Sequence, residues 1–461
     1  MKALNDPDQV LSDGLSAIRQ QFKVPPSFPP AVQAAAAEVA TRAPTSHADR
    51  TAMPFVTLDP ASSTDLDQAF ALERSGTDFL LHYAIADVAW YVDDGSVLDD
   101  EAWARGTTTY LPDGKASLYP PALSEHAASL LPDGNRPAVV FTSRVTPDGD
   151  ARLEGVERAV IRSRVKLAYE TVRPEDLPEG FCEFAARITA AEDRRGAARV
   201  DPPEQEVLRG ADGRFRLSFR PRLASEDQNA ALSLASNLAV ARSLYEAGTG
   251  LFRVMAGPDD RAVLRLRGTA KAFALDWPDA MPLPEFEKQL SPADPKQAAF
   301  MMAVRRSGNG ASYVPFRAGE RPWHAAMAAT YAHSTAPLRR LADRYVVQAA
   351  LAVVNGQAVP EAVTAAFQEL PAVMARAEAH DGQVERAAID LAECALLSGR
   401  EGEAFKAVVT DVGESGARIQ LCDLPVVARV MAPGVMPGAE ITIRLTATDL
   451  IRRWLAFDLS S

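Results

Sequence analysis

Residues 56–70, VTLDPASSTDLDQAF, place Asp59, Asp65 and Asp67 within nine positions, between one apolar, strand-like stretch and another that begins at Ala69. In an extended chain residues two apart point to the same face, so Asp65 and Asp67 are expected side by side. Pro60 and the Ser/Thr turn after it allow Asp59 to fold back onto that face. Three carboxylates this close repel strongly in a partly dry site unless a cation neutralises them. A hard cation with oxygen ligands removes the conflict, and Mg²⁺ is the usual occupant where phosphate is the substrate. An acidic surface turn is the bland alternative. A calcium-binding EF-hand loop does not fit, because Ala61 falls at the third loop position and the loop glycine and closing Glu are missing.

Working outward, residues 50–170 alternate strand patterns with Gly and Asp punctuation: FVTLD, QAFALE, the turn RSGTD, then FLLHYAIADVAWYV. AVVFTSRVT, the turn Pro147-Asp148-Gly149-Asp150 and LEGVERAVIRSRVKLAY predict a further hairpin. Residues 225–247 are helical in pattern. So are 337–398, with a break at Asn355-Gly356 and restarts near Pro360 and Pro371. The expected fold class is therefore α+β, a mixed sheet surrounded by helices. Upstream, Leu11, Leu15, Ile18 and Phe22 mark one face of a short helix. VPPSFPP ends it, and AVQAAAAEVATRA starts another. The pair is expected to pack on the main domain, with a helix-turn-helix stub as the alternative. After Gly399, the runs AFKAVVTDV, GARIQL, VVARVM, ITIRLTAT and WLAFDL predict a five-stranded OB-type barrel, a common platform for single-stranded nucleic acid. Domain boundaries are expected at 1–49, 50–398 and 399–461.

With 461 residues and 47% apolar content the chain can bury a large core. MKALNDPDQV lacks the apolar centre of a signal peptide, and no uninterrupted apolar run is long enough to span a bilayer, so no membrane association and a cytoplasmic location are expected. Cys182, Cys394 and Cys422 are far apart and odd in number, which predicts buried packing residues rather than disulfides or a zinc site. The net charge of −12 argues against a protein that coats nucleic acid non-specifically. It leaves room for a locally basic channel leading to a metal. The barrel region itself carries 6 Lys/Arg against 8 Asp/Glu, so binding there would depend on aromatic and local contacts.

A second tract, YAHSTAPLRRLADRY at 331–345, reads as a helix start with Thr335 or Ala336 as cap and Pro337 in the first turn. Backbone N–H groups together with Arg339 and Arg340 would form an anion site suited to phosphate. The plainer alternative is an ion pair between Arg339 and Asp343. His324 and His333 are expected to pack or hydrogen-bond rather than ligate, and Asp87 to be a structural carboxylate.

TLDPASSTDLDQA, HYAIADVAWYVDDGSVLDDEAWARGTTTYLP, LYPPALSEHAASLLPDGNRPAV and YAHSTAPLRRLADRYV, in this order, closely resemble the catalytic RNB domain of the ribonuclease II family over residues 50–398. The C-terminal barrel is similar to that family's S1 domain. The resemblance implies a processive hydrolytic exoribonuclease that shortens single-stranded RNA from its 3′ end to nucleoside 5′-monophosphates. It implies Mg²⁺ as cofactor, with Mn²⁺ as a substitute, and a monomer is expected. It further implies that Asp59, Asp65 and Asp67 bind metal, Asp67 being also catalytic, and that Arg339 contacts the scissile phosphate. Tyr110 would stack near the 3′ end, Arg340 would lie at the RNA, and Glu385 would contact the terminal nucleotides.

The chain departs from the family pattern at four points. Gln68 stands where many relatives have a fourth aspartate; its amide oxygen could ligate a metal but carries no charge. Ala336 replaces a serine, and Thr249 falls where some relatives have an aromatic clamp. Only residues 1–49 precede the catalytic region, so preceding cold-shock domains are not expected and the route to the site should be more open. Two other functions compete: an RNA-binding protein in which Gln68 and Ala336 have ended catalysis, and a metal phosphodiesterase acting on DNA.

Overall fold

The computed structural model describes residues 2–4, 10–132, 134–197, 204–209, 214–220, 222–291, 294–308, 310–413 and 416–460. Its centre is a five-stranded sheet in the spatial order Ala48–Asp49, Ala151–Ile161, Arg136–Val145, Asp78–Ala86 and Gln68–Ser75. All pairings are antiparallel except that of the short first strand, so the sheet is mixed. Alternation along Asp78–Ala86 puts Phe79, Leu81 and Tyr83 into the core. The helix Phe181–Arg195 lays Phe181 on Phe70 and Phe184 on Phe79, with ring centroids 5.4 and 6.0 Å apart. Each such buried ring stabilises the fold by about 1.5–3 kcal/mol. The strand-like run FLLHYAIADVAWYV does not stay extended to its end: at Asp87 the chain turns into the one-turn helix Val88–Tyr91. Asp87 is buried there against His47 Nε2 at 3.1 Å and Arg158 Nε at 3.0 Å, the structural carboxylate anticipated.

The helix Glu361–Leu397 ties the parts of the molecule together. Phe367, Leu370 and Met374 bury against the central core, and Val384, Ala387 and Leu391 meet Leu11, Leu15 and Ile18 of the helix Val10–Gln21. Leu397 enters the core of the C-terminal barrel. The N-terminal helices therefore pack on the main body, as expected. Gly14 keeps that contact close, since a Cβ there would lie 2.5 Å from the Leu391 side chain and push it aside. The expected restart at Pro371 does not occur: the helix runs through it unbroken. A proline in a helix interior costs about 3 kcal/mol, and apolar burial on either side of it outweighs that loss.

Beyond Gly399 the five predicted runs form one antiparallel sheet in the order 427–430, 416–421, 404–413, 440–449 and 454–459. Register shifts at Val409/Asp411 and Leu445/Ala447 bend its two long strands, curling the sheet into a nearly closed OB-type barrel. The cysteine expectation holds only for Cys394, because Cys182 and Cys422 are exposed. Among the described residues no helix is long and apolar enough to cross a membrane.

Candidate active site

The two tracts singled out in the sequence meet. Asp59 ends the short strand Thr57–Asp59, which pairs in parallel with Lys166–Ala168. Residues 60–67 leave it as a loop rather than the extended segment expected, and the next strand starts only at Gln68. Buried Ser129 shapes this loop: its hydroxyl accepts from Leu66 N–H at 2.9 Å and donates to the Thr64 carbonyl at 2.7 Å. Lys166 Nζ donates to the carbonyls of Ala61 and Ser63 from the other side, at 2.7 and 2.5 Å.

Asp67 is buried, and its carboxylate reaches the second tract. Leu338 N–H donates to Oδ1 at 2.6 Å, and Arg339 Nε lies 3.6 Å from Oδ2. Burial pushes the Asp67 carboxyl up to about 8, with Arg339 and the Leu338 N–H opposing the shift and Asp65 adding to it. Burial likewise raises Asp59 to about 6, against the pull of Arg339 and Lys166. These are carboxylates whose negative charge the fold does not fully compensate. Asp65 faces a different cation: Lys115 Nζ sits 2.8 Å from its Oδ1.

The arginine tract differs in detail from its expected form. The helix begins at Leu341, and Ala336–Arg340 is a turn in which Arg340 N–H donates to the Ala336 carbonyl at 2.9 Å. The anticipated N-terminal anion site is thus not formed at residues 335–338, and the Leu338 N–H is used on Asp67. Buried Asp343 explains the shift, because its carboxylate accepts from Ala336 N–H at 2.8 Å and from Arg340 at 3.0 and 2.7 Å. The plainer reading's Arg339–Asp343 pair is not the one formed: Asp343 pairs with Arg340 instead, which commits the Arg340 guanidinium to the turn, while Arg339 faces Asp67. Arg339 is left 45% exposed, able to meet a phosphate while remaining beside Asp67.

Tyr110 stands 54% exposed on the hairpin Thr109–Leu111/Gly114–Ala116. Its base is fixed twice. Thr108 N–H donates to the Arg339 carbonyl at 3.0 Å, while the hydroxyls of Thr107 and Thr109 both donate to Asp381, at 2.5 and 2.6 Å. Gly106, just before, has φ +74°, and a Cβ there would lie 2.8 Å from that of Ala377. Asp381 was not legible as a site residue; three successive threonines before the tyrosine were its only trace. Glu385 is exposed one helical turn beyond Asp381 on the same helix. Gln68 Oε1 accepts from the hydroxyl of buried Tyr83, a use for that amide that the sequence did not suggest. Asn237 holds the approach to the arginine turn: Ser334 N–H and hydroxyl both donate to its Oδ1, at 2.9 and 2.8 Å. His333 accepts or donates at the Tyr313 hydroxyl at 2.8 Å, and buried His324 caps a 3-10 turn, so both histidines take the bland role expected.

As a donor set, three carboxylates with two raised by burial suit a hard divalent cation. Among the described residues, however, no three His, Cys, Asp or Glu side chains are drawn together as a ready metal cage. Basic groups stand against the carboxylates instead, Lys115 at Asp65 and Arg339 at Asp67.

Comparison with known proteins agrees with this architecture. The RNB domain family matches residues 48–355, and the RNase II-type exonuclease C-terminal S1 domain matches residues 403–460. The chain is 29% identical over 409 residues to Exoribonuclease 2 of Cronobacter sakazakii, covering 84% of this chain and 62% of that protein. It is 27% identical over 441 residues to Ribonuclease R of Escherichia coli, covering 87% and 54%. It thus spans between half and two thirds of the length of these relatives. The fold matches a solved structure, Mycoplasma genitalium RNase R in complex with ribose methylated single-stranded RNA, with a TM-score of 0.87 at 20% identity over 100% of this chain and 79% of that one.

Proposed function

The chain belongs to the ribonuclease II family, with an RNB domain and a C-terminal S1 domain, and from that premise we propose that it is a hydrolytic 3′-to-5′ exoribonuclease. Its substrate is single-stranded RNA and its products are nucleoside 5′-monophosphates, released processively with Mg²⁺. One observation carries the reading: Asp67 and Arg339, 272 positions apart, lie 3.6 Å from each other beside Asp59 and Asp65. That arrangement sets anionic ligands for a cation next to a half-exposed guanidinium suited to phosphate.

In this reading Asp59, Asp65 and Asp67 hold the ion. When bound, Mg²⁺ lowers the pKa of the attacking water and offsets charge on the leaving 3′-oxygen. Arg339 donates to the non-bridging oxygens of the scissile phosphate, where charge grows in the transition state. Tyr110 stacks on a base near the 3′ end without selecting which base it is. Glu385 borders the terminal nucleotides, and Arg340 acts through the turn that presents Arg339.

A second reading, RNA binding without hydrolysis, is favoured by two contacts: Gln68 is engaged by Tyr83, and Asp65 by Lys115. One experiment separates these readings and a DNA-directed phosphodiesterase. 5′-Labelled single-stranded RNA and its DNA counterpart are incubated with Mg²⁺, with and without chelator, beside Asp67→Asn. The expected result is a ladder shortening from the 3′ end of RNA alone, abolished by chelator and by the substitution. Bound but intact RNA would overturn the nuclease reading, and equal digestion of DNA would overturn the RNA specificity.

A further inference from the structure

Lys115 lies directly across the hairpin from Tyr110, so both side chains leave the same face, toward the aspartates. Its ammonium is held by two carboxylates, Asp65 Oδ1 at 2.8 Å and Glu125 Oε1 at 3.1 Å. The contact is sheltered, with Lys115 20% exposed and Asp65 11% exposed. The hairpin that carries it is anchored independently, because Arg19 of the N-terminal helix pairs with Asp113 at 2.8 Å in the hairpin turn. Leu111 and Ala116 pack into the core shared by that helix and Glu361–Leu397. The lysine is therefore a built part of the site and not a mobile surface charge. It also occupies an oxygen of Asp65, one of the carboxylates that would hold a divalent cation.

Resting on the metal-dependent reading above, we propose that Lys115 is an internal counter-cation that competes for Asp65 and sets how tightly the site takes a divalent ion. Glu125 is the second half of the device. Presented from the single π-helical turn Ala122–Ala127, it offers the ammonium an alternative carboxylate when the ion claims Asp65. The hand-over moves no proton and breaks no covalent bond; one ion pair, Lys115–Asp65, is exchanged for Lys115–Glu125 alone. A monovalent and a divalent cation sharing one carboxylate repel enough to change affinity by about tenfold even at the dielectric constant of water. Lys115 is thus a positioning residue for the charge balance of the site, and its effect is read in metal affinity before any RNA is present.

The test is the Mn²⁺ binding isotherm of the full chain, free Mn²⁺ being followed by its electron paramagnetic resonance signal. Lys115→Met should bind Mn²⁺ about tenfold more tightly than the unsubstituted protein. Lys115→Arg, which keeps the charge, should stay within about threefold of it. Glu125→Gln, which leaves the ammonium with Asp65 alone, should bind several-fold more weakly. Unchanged or weaker binding by Lys115→Met overturns the proposal. If that variant does not fold, as judged by circular dichroism, Glu125→Gln decides, and unchanged or tighter binding there overturns it. The RNA assay on the unsubstituted chain runs in parallel. Inactivity on RNA alongside the predicted Mn²⁺ shifts removes the nuclease reading and leaves the role of Lys115 standing. Failure of every form to bind Mn²⁺ removes both.

Discussion

Asp67→Asn should make the metal-free protein more stable at alkaline pH, although it removes a carboxylate that accepts a 2.6 Å hydrogen bond. In the folded state the Asp67 carboxyl is pushed up to about 8 by burial, whereas an unfolded chain returns it to its ordinary value of about 4. Between those two values the folded state binds the extra proton, so stability is full below about pH 4 and is lost as pH rises through 8. The interval from about 4 to about 8, at about 1.4 kcal/mol per pH unit, sets an upper bound of about 5.5 kcal/mol. Arg339 is half exposed and can close on the carboxylate as it ionises, so the measurable loss should be about 2–3 kcal/mol. Asp59, raised to about 6, loses stability with the same sign over a lower and narrower window, in variant and parent alike. An asparagine mimics the protonated carboxyl in shape and hydrogen bonding but cannot ionise. Urea unfolding in chelator, followed by far-ultraviolet circular dichroism, should therefore find the two proteins nearly equal at about pH 4 and Asp67→Asn the more stable by about 2–3 kcal/mol at pH 9. Mg²⁺ at about a hundred times its dissociation constant should restore the parent by about 2.7 kcal/mol at pH 9 and so close the gap. Equal losses for both proteins between about pH 4 and 9 would refute the reasoning, as would a variant that is the less stable of the two at both pH values.

Tyr110→Ala should weaken binding of single-stranded RNA by about 1–3 kcal/mol, to a similar extent for adenine and uracil homopolymers, because a stacked base is held by its π-face; fluorescence anisotropy of labelled oligonucleotides measures this. Asp381→Ala strands the hydroxyls of Thr107 and Thr109 and loosens the hairpin under Tyr110. It should cost about 1–3 kcal/mol of stability in urea and raise KM for RNA more than it lowers kcat. Gln68→Asp places a new carboxylate beside Asp67 and draws the acceptor one methylene back from the buried Tyr83 hydroxyl. Thermal melts at pH 8 should show it less stable than the parent in chelator and stabilised more by saturating Mg²⁺.

Local pattern was enough to read the four long strands of the central sheet, the helix 224–246, the five barrel strands, and the aspartate and arginine tracts each by itself, because apolar period and turn residues are properties of neighbours in sequence. Order along the chain likewise made the family legible from four motifs. The course of the helix through Pro371 was not readable, since its continuation depends on three separate cores that contact it from distant parts of the chain. The start of the arginine helix moved to Leu341 for a similar reason: Asp343 and the strand-like contact of Arg340 with Thr107 outweigh the local capping signal. Asp381 and Lys115 lie in none of the quoted motifs and Tyr83 reads in its motif as an ordinary core residue, yet they pin the hairpin, neutralise Asp65 and engage Gln68. The chemical groups of the site follow from the sequence alone, because a carboxylate or guanidinium is what it is wherever it stands. Which oxygen faces which cation, and how far burial raises each carboxyl, only the tertiary structure decides, because desolvation and charge pairing depend on distances between residues that the chain keeps far apart.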